Sequence, residues 1–307
     1  MRRLCRQKNG ARGACAQTGM KRDMTTLQGE RFGQERALYH AQNIALKRCR
    51  FEGEEDGESA LKEGRDIVAE NCYMDLRYPF WHCRGLAVRG GEMTERCRAA
   101  LWYDRGVVLE DCTLNGIKAL RECRGVAMRG CTVHSPEFGW RCRDVSVQNC
   151  GVESEYAFFE ARGIRAEGLR FAGKYSFQYV RDVRIARSAL RTKDAFWHAK
   201  NVTVTDSVLD GEYLGWYSER LTLIRCTIRG TQPLCYCKRL RLIGCTMEGC
   251  DLAFECSGVR ADVRGHIDSV KNVRRGRVTA DSIGGILCVD PVRPVRARIV
   301  GRQGKGA

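Results

Sequence analysis

Trp140-Arg141-Cys142-Arg143-Asp144-Val145-Ser146-Val147-Gln148-Asn149-Cys150-Gly151-Val152 is one copy of a pattern that recurs along the chain. Val145 and Val147 alternate with polar neighbours, as in a short strand with one buried face. Asn149 marks a turn, and Cys150 and Val152 open a second alternating pair. With Val145 as an anchor, apolar residues return every 19 positions at Val107, Val126, Ile164, Val183, Val202, Leu221, Leu240, Val259 and Val278. Ile44, Ile67 and Leu86 extend the series upstream by steps of 23, 19 and 21, which places insertions near residues 52–59 and 94–97. A fixed period of this size is the signature of a solenoid.

The period also selects the kind of solenoid. Segments this short, rich in Val and broken by turn residues, cannot hold useful helices. A third strand is expected before each anchor, ending at small residues such as Cys83, Cys123, Cys142, Ala161 and Ala199. Gly, Asp or Asn commonly precedes the anchor, where a left-handed backbone is cheap. The expected fold is therefore all-β: a right-handed parallel β-helix with coils of about 19 residues. With about thirteen coils stacked about 4.8 Å apart, the rod is roughly 60 Å long.

The cysteines follow the same period. Of 18, seven (Cys49, Cys72, Cys112, Cys131, Cys150, Cys226, Cys245) stand five after the anchor, and five (Cys83, Cys123, Cys142, Cys237, Cys256) stand three before it. They read as small apolar side chains stacked inside the coil. They lack the hairpin spacing of a zinc site, and no Asp stack of the calcium-binding kind is present, so no metal or cofactor is expected. The start of the chain has no apolar core of a secretory signal, so reduced thiols in a cytoplasm are expected. No apolar run is long enough to cross a membrane.

The net charge of +16 is concentrated at the ends: residues 1–23 carry +6 and residues 271–307 carry +7. Nucleic acid is therefore not an expected partner of the rod, only of its basic ends. The domain reading is a basic extension over 1–23, one β-helix over 24–288 and a basic tail over 289–307. The sequence sets no oligomeric state.

Several long segments carry a family resemblance. They include Arg77-Tyr78-Pro79-Phe80-Trp81-His82, Cys97-Arg98-Ala99-Ala100-Leu101-Trp102-Tyr103, Ser135-Pro136-Glu137-Phe138-Gly139-Trp140, Gly173-Lys174-Tyr175-Ser176-Phe177-Gln178-Tyr179, Thr192-Lys193-Asp194-Ala195-Phe196-Trp197-His198 and Gly211-Glu212-Tyr213-Leu214-Gly215-Trp216-Tyr217. Over residues 32–282 the chain resembles the bacterial family called domain of unknown function 3737, whose members are similar to pectin-lyase-type β-helices. The resemblance implies the fold and carries no activity. The basic ends depart from the family pattern.

One strip of the rod has unusual chemistry. Five before the anchor stand Tyr39, Lys62, Trp81, Trp102, Arg121, Trp140, Phe159, Gln178, Trp197 and Trp216. Four before it stand His40, Glu63, His82, Tyr103, Glu122, Arg141, Glu160, Tyr179, His198, Tyr217 and Tyr236. Strand parity lets only one of these series point inward unless the strand bends, and the flanking positions give opposite answers. A stabilising aromatic stack beside a solvated face is one reading. The other is a groove for an extended carbohydrate, with Trp81, Trp102, Tyr103, Arg121, Trp140, Phe159, Tyr179, Trp197, Trp216 and Tyr217 as ligand contacts. Within it Glu122, Arg141 and Glu160, with His82 and His198, are the candidates for acid–base chemistry, because two carboxylates about 9–10 Å apart leave room for a water. An arginine-bridged surface ladder competes with that assignment.

A second strip is basic: Arg65, Arg84, Arg105, Arg124, Arg143, Arg162, Arg181 and Lys200 stand two before eight consecutive anchors. It reads as a solvated edge partly paired with acids, or as a track for a polyanion. Two function classes follow. One is a protein that binds or processes an extended carbohydrate. The other is a non-enzymatic scaffold that docks a protein or a polyanion.

Overall fold

A computed structural model describes residues 24–53 and 57–302. The basic extension read over 1–23 lies outside the described residues. The opening stretch forms the strand Arg143–Gln148, paired in parallel with Arg124–Arg129 on one side and Arg162–Glu167 on the other. The anchors face one another from coil to coil: Ile44 and Ile67, Ile67 and Leu86, Leu86 and Val107, Val107 and Val126, Val126 and Val145. Thr25 faces Ile44, which adds a rung upstream. A second column of short strands follows each anchor strand, as in Thr132–His134 on Gly151–Ser154. The fold is an all-β parallel β-helix with coils of about 19 residues.

Both insertions fall where the longer steps put them. Phe51 faces Met74 across the first, and the second holds a single 3-10 turn, Glu95–Cys97. The turn before the anchor also behaves as its residue types imply. Asp66, Asp144, Asp182 and Asn201 take φ of +52 to +59°, and Gly85, Gly106, Gly125 and Gly163 take φ near +70°.

Three features differ from the expectation. Among the described residues, the third strand forms only at Phe80–Trp81, Leu101–Trp102 and Leu120–Arg121. Further along, Phe158, Phe177 and Phe196 adopt φ of 58, 56 and 60°, so the chain turns there instead of extending. Their rings stack inside the coil with centroids 5.0 and 5.4 Å apart, which gives the turn its own core. Near the C-terminal end the period contracts: Val259 faces Gly276, and Val278 faces Ala261 rather than Val259. A bulge between Ile243 and Cys245 begins this change. Glycine is needed at the new contact, because a Cβ on Gly276 would lie 1.8 Å from the Val259 carbonyl oxygen. Finally, Arg298–Gly301 lies within the segment read as a tail, yet it pairs with Arg277–Ala280, so the stack runs past residue 288.

The core is one continuous column of Val, Ile, Leu, Phe and Cys. Among the described residues, fifteen cysteines are free and buried, and Cys288 is free and exposed. Thiols five after the anchor donate to a carbonyl of the preceding coil: Cys131 to Leu109, Cys226 to Val204 and Cys245 to Leu223, at 3.6, 3.4 and 3.3 Å. Ser188 and Ser207 take this position in two coils and are likewise buried. The position therefore wants a small side chain with a weak donor, which both residue types supply.

Candidate functional site

The strand-parity conflict is resolved by the residue four before the anchor. Glu63, His82, Tyr103, Glu122, Arg141, Glu160, Tyr179, His198, Tyr217 and Tyr236 all have φ between 53 and 61°. A left-handed residue resets the alternation, so the residue before the Trp position and the residue two after it both point inward. The Trp series is left half-buried and the His/Glu/Tyr series mostly faces out. None of these residues is glycine, so each carries a conformational cost of about 1–2 kcal/mol. A hydrogen-bond ladder holds them: from Glu63 to Tyr217 each N–H donates to the carbonyl of the Trp-position residue in the next coil, and Tyr236 donates to Glu255 one residue beyond it. Glu122 donates to Trp140, Arg141 to Phe159 and His198 to Trp216, at 2.8, 2.8 and 3.0 Å.

The basic strip is fixed by an equally regular ladder. Arg105 N–H donates to Cys83, Arg124 to Asp104, Arg143 to Cys123 and Arg162 to Cys142, at 2.9–3.0 Å. Their Cα atoms face one another in register from Arg65 through Lys200. This column stands two positions after the His/Glu/Tyr column, and one buried residue lies between them. The two columns thus wall a trough whose floor is Cys83, Asp104, Cys123, Cys142 and Ala161.

The trough consists of two hollows of about 490 Å³ each that share Arg141 and Arg143. One is walled by Glu63, His82, Tyr103, Glu122 and the facing arginines. The other is walled by Glu160, Tyr179, His198, four arginines and Lys200. Both columns are legible in the sequence but their adjacency is not, because the left-handed residue that turns one wall toward the other is not marked by Gly or Asn.

Trp81, Trp102, Trp140, Phe159, Trp197 and Trp216 do not line either hollow. Their faces are taken up within the chain. Lys62 Nζ sits 4.3 Å from the Trp81 ring centre, Trp81 stacks on Trp102 at 5.6 Å, and the Arg121 guanidinium lies 5.9 Å from Trp102 and 5.3 Å from Trp140. Trp140 and Trp216 donate their indole N–H to the carbonyls of Tyr156 and Gln232, both at 2.7 Å. The indole N–H groups of Trp81, Trp102 and Trp197 are buried with no acceptor among the described residues.

Rings on the trough wall also use their faces on each other. His82 stacks on Tyr103 at 5.0 Å, Tyr179 on His198 at 5.0 Å, His198 on Tyr217 at 5.0 Å and Tyr217 on Tyr236 at 4.8 Å. Edges, hydroxyls and imidazole nitrogens are what remain for a ligand. Burial, and then the positive Lys200, pulls the His198 imidazole below its ordinary value. The two candidate carboxylates each have an arginine beside them. Arg121 Nε is 3.3 Å from Glu122, and Arg141 Nε is 2.8 Å from Glu160, so Arg141 bridges toward one acid of the pair.

Asp104 in the floor escaped sequence analysis. The signal was an acid at a position filled elsewhere from Ala41 to Cys256 by Gly, Cys, Ala, Val or Ser. It is fully buried, and one oxygen accepts the Cys83 N–H at 2.7 Å. Its other oxygen has no partner among the described residues. Burial, reinforced by the Cys123 thiol, pushes its carboxyl well above the usual carboxylate range. No group of three His, Cys, Asp or Glu is placed to hold a metal among the described residues. No helix there is long and apolar enough to cross a membrane.

A parallel β-helix with a polar trough along one edge is thus the class that fold and site define. The chain belongs to the family described as protein of unknown function (DUF3737), whose model matches residues 25–299. No curated protein matches it. Among solved structures it is similar to a variant tailspike protein of E. coli bacteriophage HK620 in complex with a hexasaccharide, at 10% identity and TM-score 0.34, covering 89% of this chain and 56% of that one. The tailspike of the same phage with a pentasaccharide gives 9% identity and TM-score 0.35, covering 90% of this chain and 70% of that one. The A-module of the Azotobacter vinelandii mannuronan C-5 epimerase AlgE6 gives 10% identity and TM-score 0.28, covering 91% of each chain. The chain spans 56% of the length of the first of these.

Proposed function

We propose that this protein binds an extended carbohydrate along the trough between the His/Glu/Tyr column and the arginine column. The observation that carries the reading is the continuity of the trough: two hollows sharing Arg141 and Arg143 run lengthwise from Glu63 to Lys200. A linear polymer fits such a shape better than a compact ligand does. Tyr hydroxyls, imidazole nitrogens, carboxylates and guanidinium forks at coil spacing supply the donors and acceptors that sugar hydroxyls need. The tryptophans support this wall from behind and are not platforms. The thiol-rich core supports a reducing, cytoplasmic setting for this role.

The test is a glycan array with the intact protein, covering neutral and acidic oligosaccharides, followed by Tyr179→Phe. This substitution removes one hydroxyl and keeps the ring stack. It should weaken binding roughly three- to ten-fold, as expected for one lost hydrogen bond, with an unchanged unfolding curve. An array on which nothing binds would sink the proposal and leave the scaffold class in its place.

A further inference from the structure

The arginine wall lacks the partners that a solvated edge should have. Arg84, Arg105, Arg143, Arg162 and Arg181 stand with Arg124 in one register on successive coils about 4.8 Å apart, the spacing of stacked strands. None of the five has an ion pair among the described residues. Arg124 alone in this run has one, to Asp144 at 3.3 Å, and both side chains are largely exposed. The opposite wall does not neutralise them. One hollow gathers six arginines against two glutamates. The other gathers four arginines and a lysine against one glutamate. Glu122 and Glu160 already hold Arg121 and Arg141. Like charges so closely stacked repel unless an anion lies among them.

Two kinds of linear anion suit a positive trough, and the rings choose between them. Single-stranded nucleic acid is held by stacking its bases on open aromatic faces. Here the faces of His82, Tyr103, Tyr179, His198, Tyr217 and Tyr236 are covered by each other, at interplanar angles of 7–15°. The exposed edges and hydroxyls match sugar hydroxyls instead. One residue of an extended sugar chain is about as long as one coil rise, so charge can repeat in step with the arginines. We propose that the ligand is an acidic linear polysaccharide, with a carboxylate or sulfate meeting a guanidinium on each coil. This rests on the carbohydrate reading above and adds its charge.

The experiment titrates the full chain with four probes by calorimetry: oligogalacturonate, its fully methyl-esterified form, chondroitin sulfate oligomers, and oligothymidylate of similar length. The acid should bind at least about ten-fold tighter than its ester, since hydrogen bonds between charged groups are the stronger kind. The sulfated probe separates sulfate from carboxylate preference. Arg143→Gln and Arg162→Gln should each weaken acid binding about ten-fold or more. The basic ends are the same in every variant, so that loss reports the trough and not them. Arg143→Lys, which keeps the charge and loses the fork, should lose less and guards against a folding artefact. Equal binding of acid and ester would overturn the charge assignment while the carbohydrate reading stands. Tighter binding of oligothymidylate, lost on Arg143→Gln, would replace the polysaccharide by nucleic acid. Binding of no saccharide at all, neutral or acidic, would end both readings.

Discussion

Two columns run side by side along this rod and differ in what they need from outside. The Trp column is built from Lys62, Trp81, Trp102, Arg121 and Trp140, and each ring face is met by a neighbour's ring or cation. Three residues further along the same coils, Arg84, Arg105 and Arg143 have no opposite charge from the described residues. Both columns are conspicuous in the sequence, the aromatic one more so. The contacts reverse that weighting. Aromatic side chains that cover one another contribute stability, whereas stacked like charges cost it, a cost that an added anion would relieve.

The largest effect should come from the Trp column. Trp102→Ala removes a half-buried indole together with its stack on Trp81 and its cation contact with Arg121. It should cost about 3 kcal/mol, measured by denaturant unfolding. A loss below about 1 kcal/mol would mean that the ladder is not what holds this edge, and the contrast between the columns would fail.

Next comes the floor that joins them. Asp104 has a folded-state pKa raised far above its ordinary value of 3.8 by burial. The folded state therefore holds a proton that the unfolded chain releases. Its contribution to stability is full below pH 3.8 and declines as pH rises toward the folded value. Asp104→Asn keeps an acceptor for the Cys83 N–H and removes the titration. At neutral and alkaline pH the variant should be more stable by about 1–3 kcal/mol, the cost of one unsatisfied buried group, and its stability should depend less on pH. A variant that is less stable throughout would show that the free oxygen has a partner.

How much of this was legible follows from individual residues. The 19-residue step fixed the anchors from Val107 to Val259, because parallel in-register stacking demands the same residue type at the same place in each coil. The slip to Gly276 was not legible. Val278 keeps the period in sequence, while the backbone approach that glycine allows at 276 moves the pairing. The orientation of the strip was undecidable for a related reason. Glu122, Arg141 and His198 take φ near 54° without being residues that favour it, held by bonds to the next coil that a single coil's sequence cannot announce. The candidate site was legible as two lists of residues and became a trough only when that bend placed them opposite one another.

The arginine column should show its strain directly. Replacing Arg105, Arg143 and Arg162 together by Gln removes three of the stacked charges without touching the core. In low salt Tm should rise by roughly a degree or two, and salt should raise Tm less in the variant than in the parent. A fall in Tm would mean that these side chains are paired in solution.

The smallest effect is also the most local measure of the same field. His198 stands on the ring wall between Tyr179 and Tyr217, and its pKa is held below 6.5 first by burial and then by Lys200. The unfolded chain takes up this proton before the folded one does, so stability is present above pH 6.5 and falls as pH drops through the folded value. Lys200→Gln removes the second cause and leaves the first. The His198 titration, followed by NMR on the ring protons, should move upward but stay below 6.5. An acidic oligosaccharide added to the parent protein should move it further in the same direction, because negative charge in the trough favours the imidazolium. A neutral oligosaccharide that lies in the trough shields the ring from water and brings no charge, so it should move the titration down. The direction of that one shift therefore reports whether what fills the trough carries the charge that the arginine wall lacks.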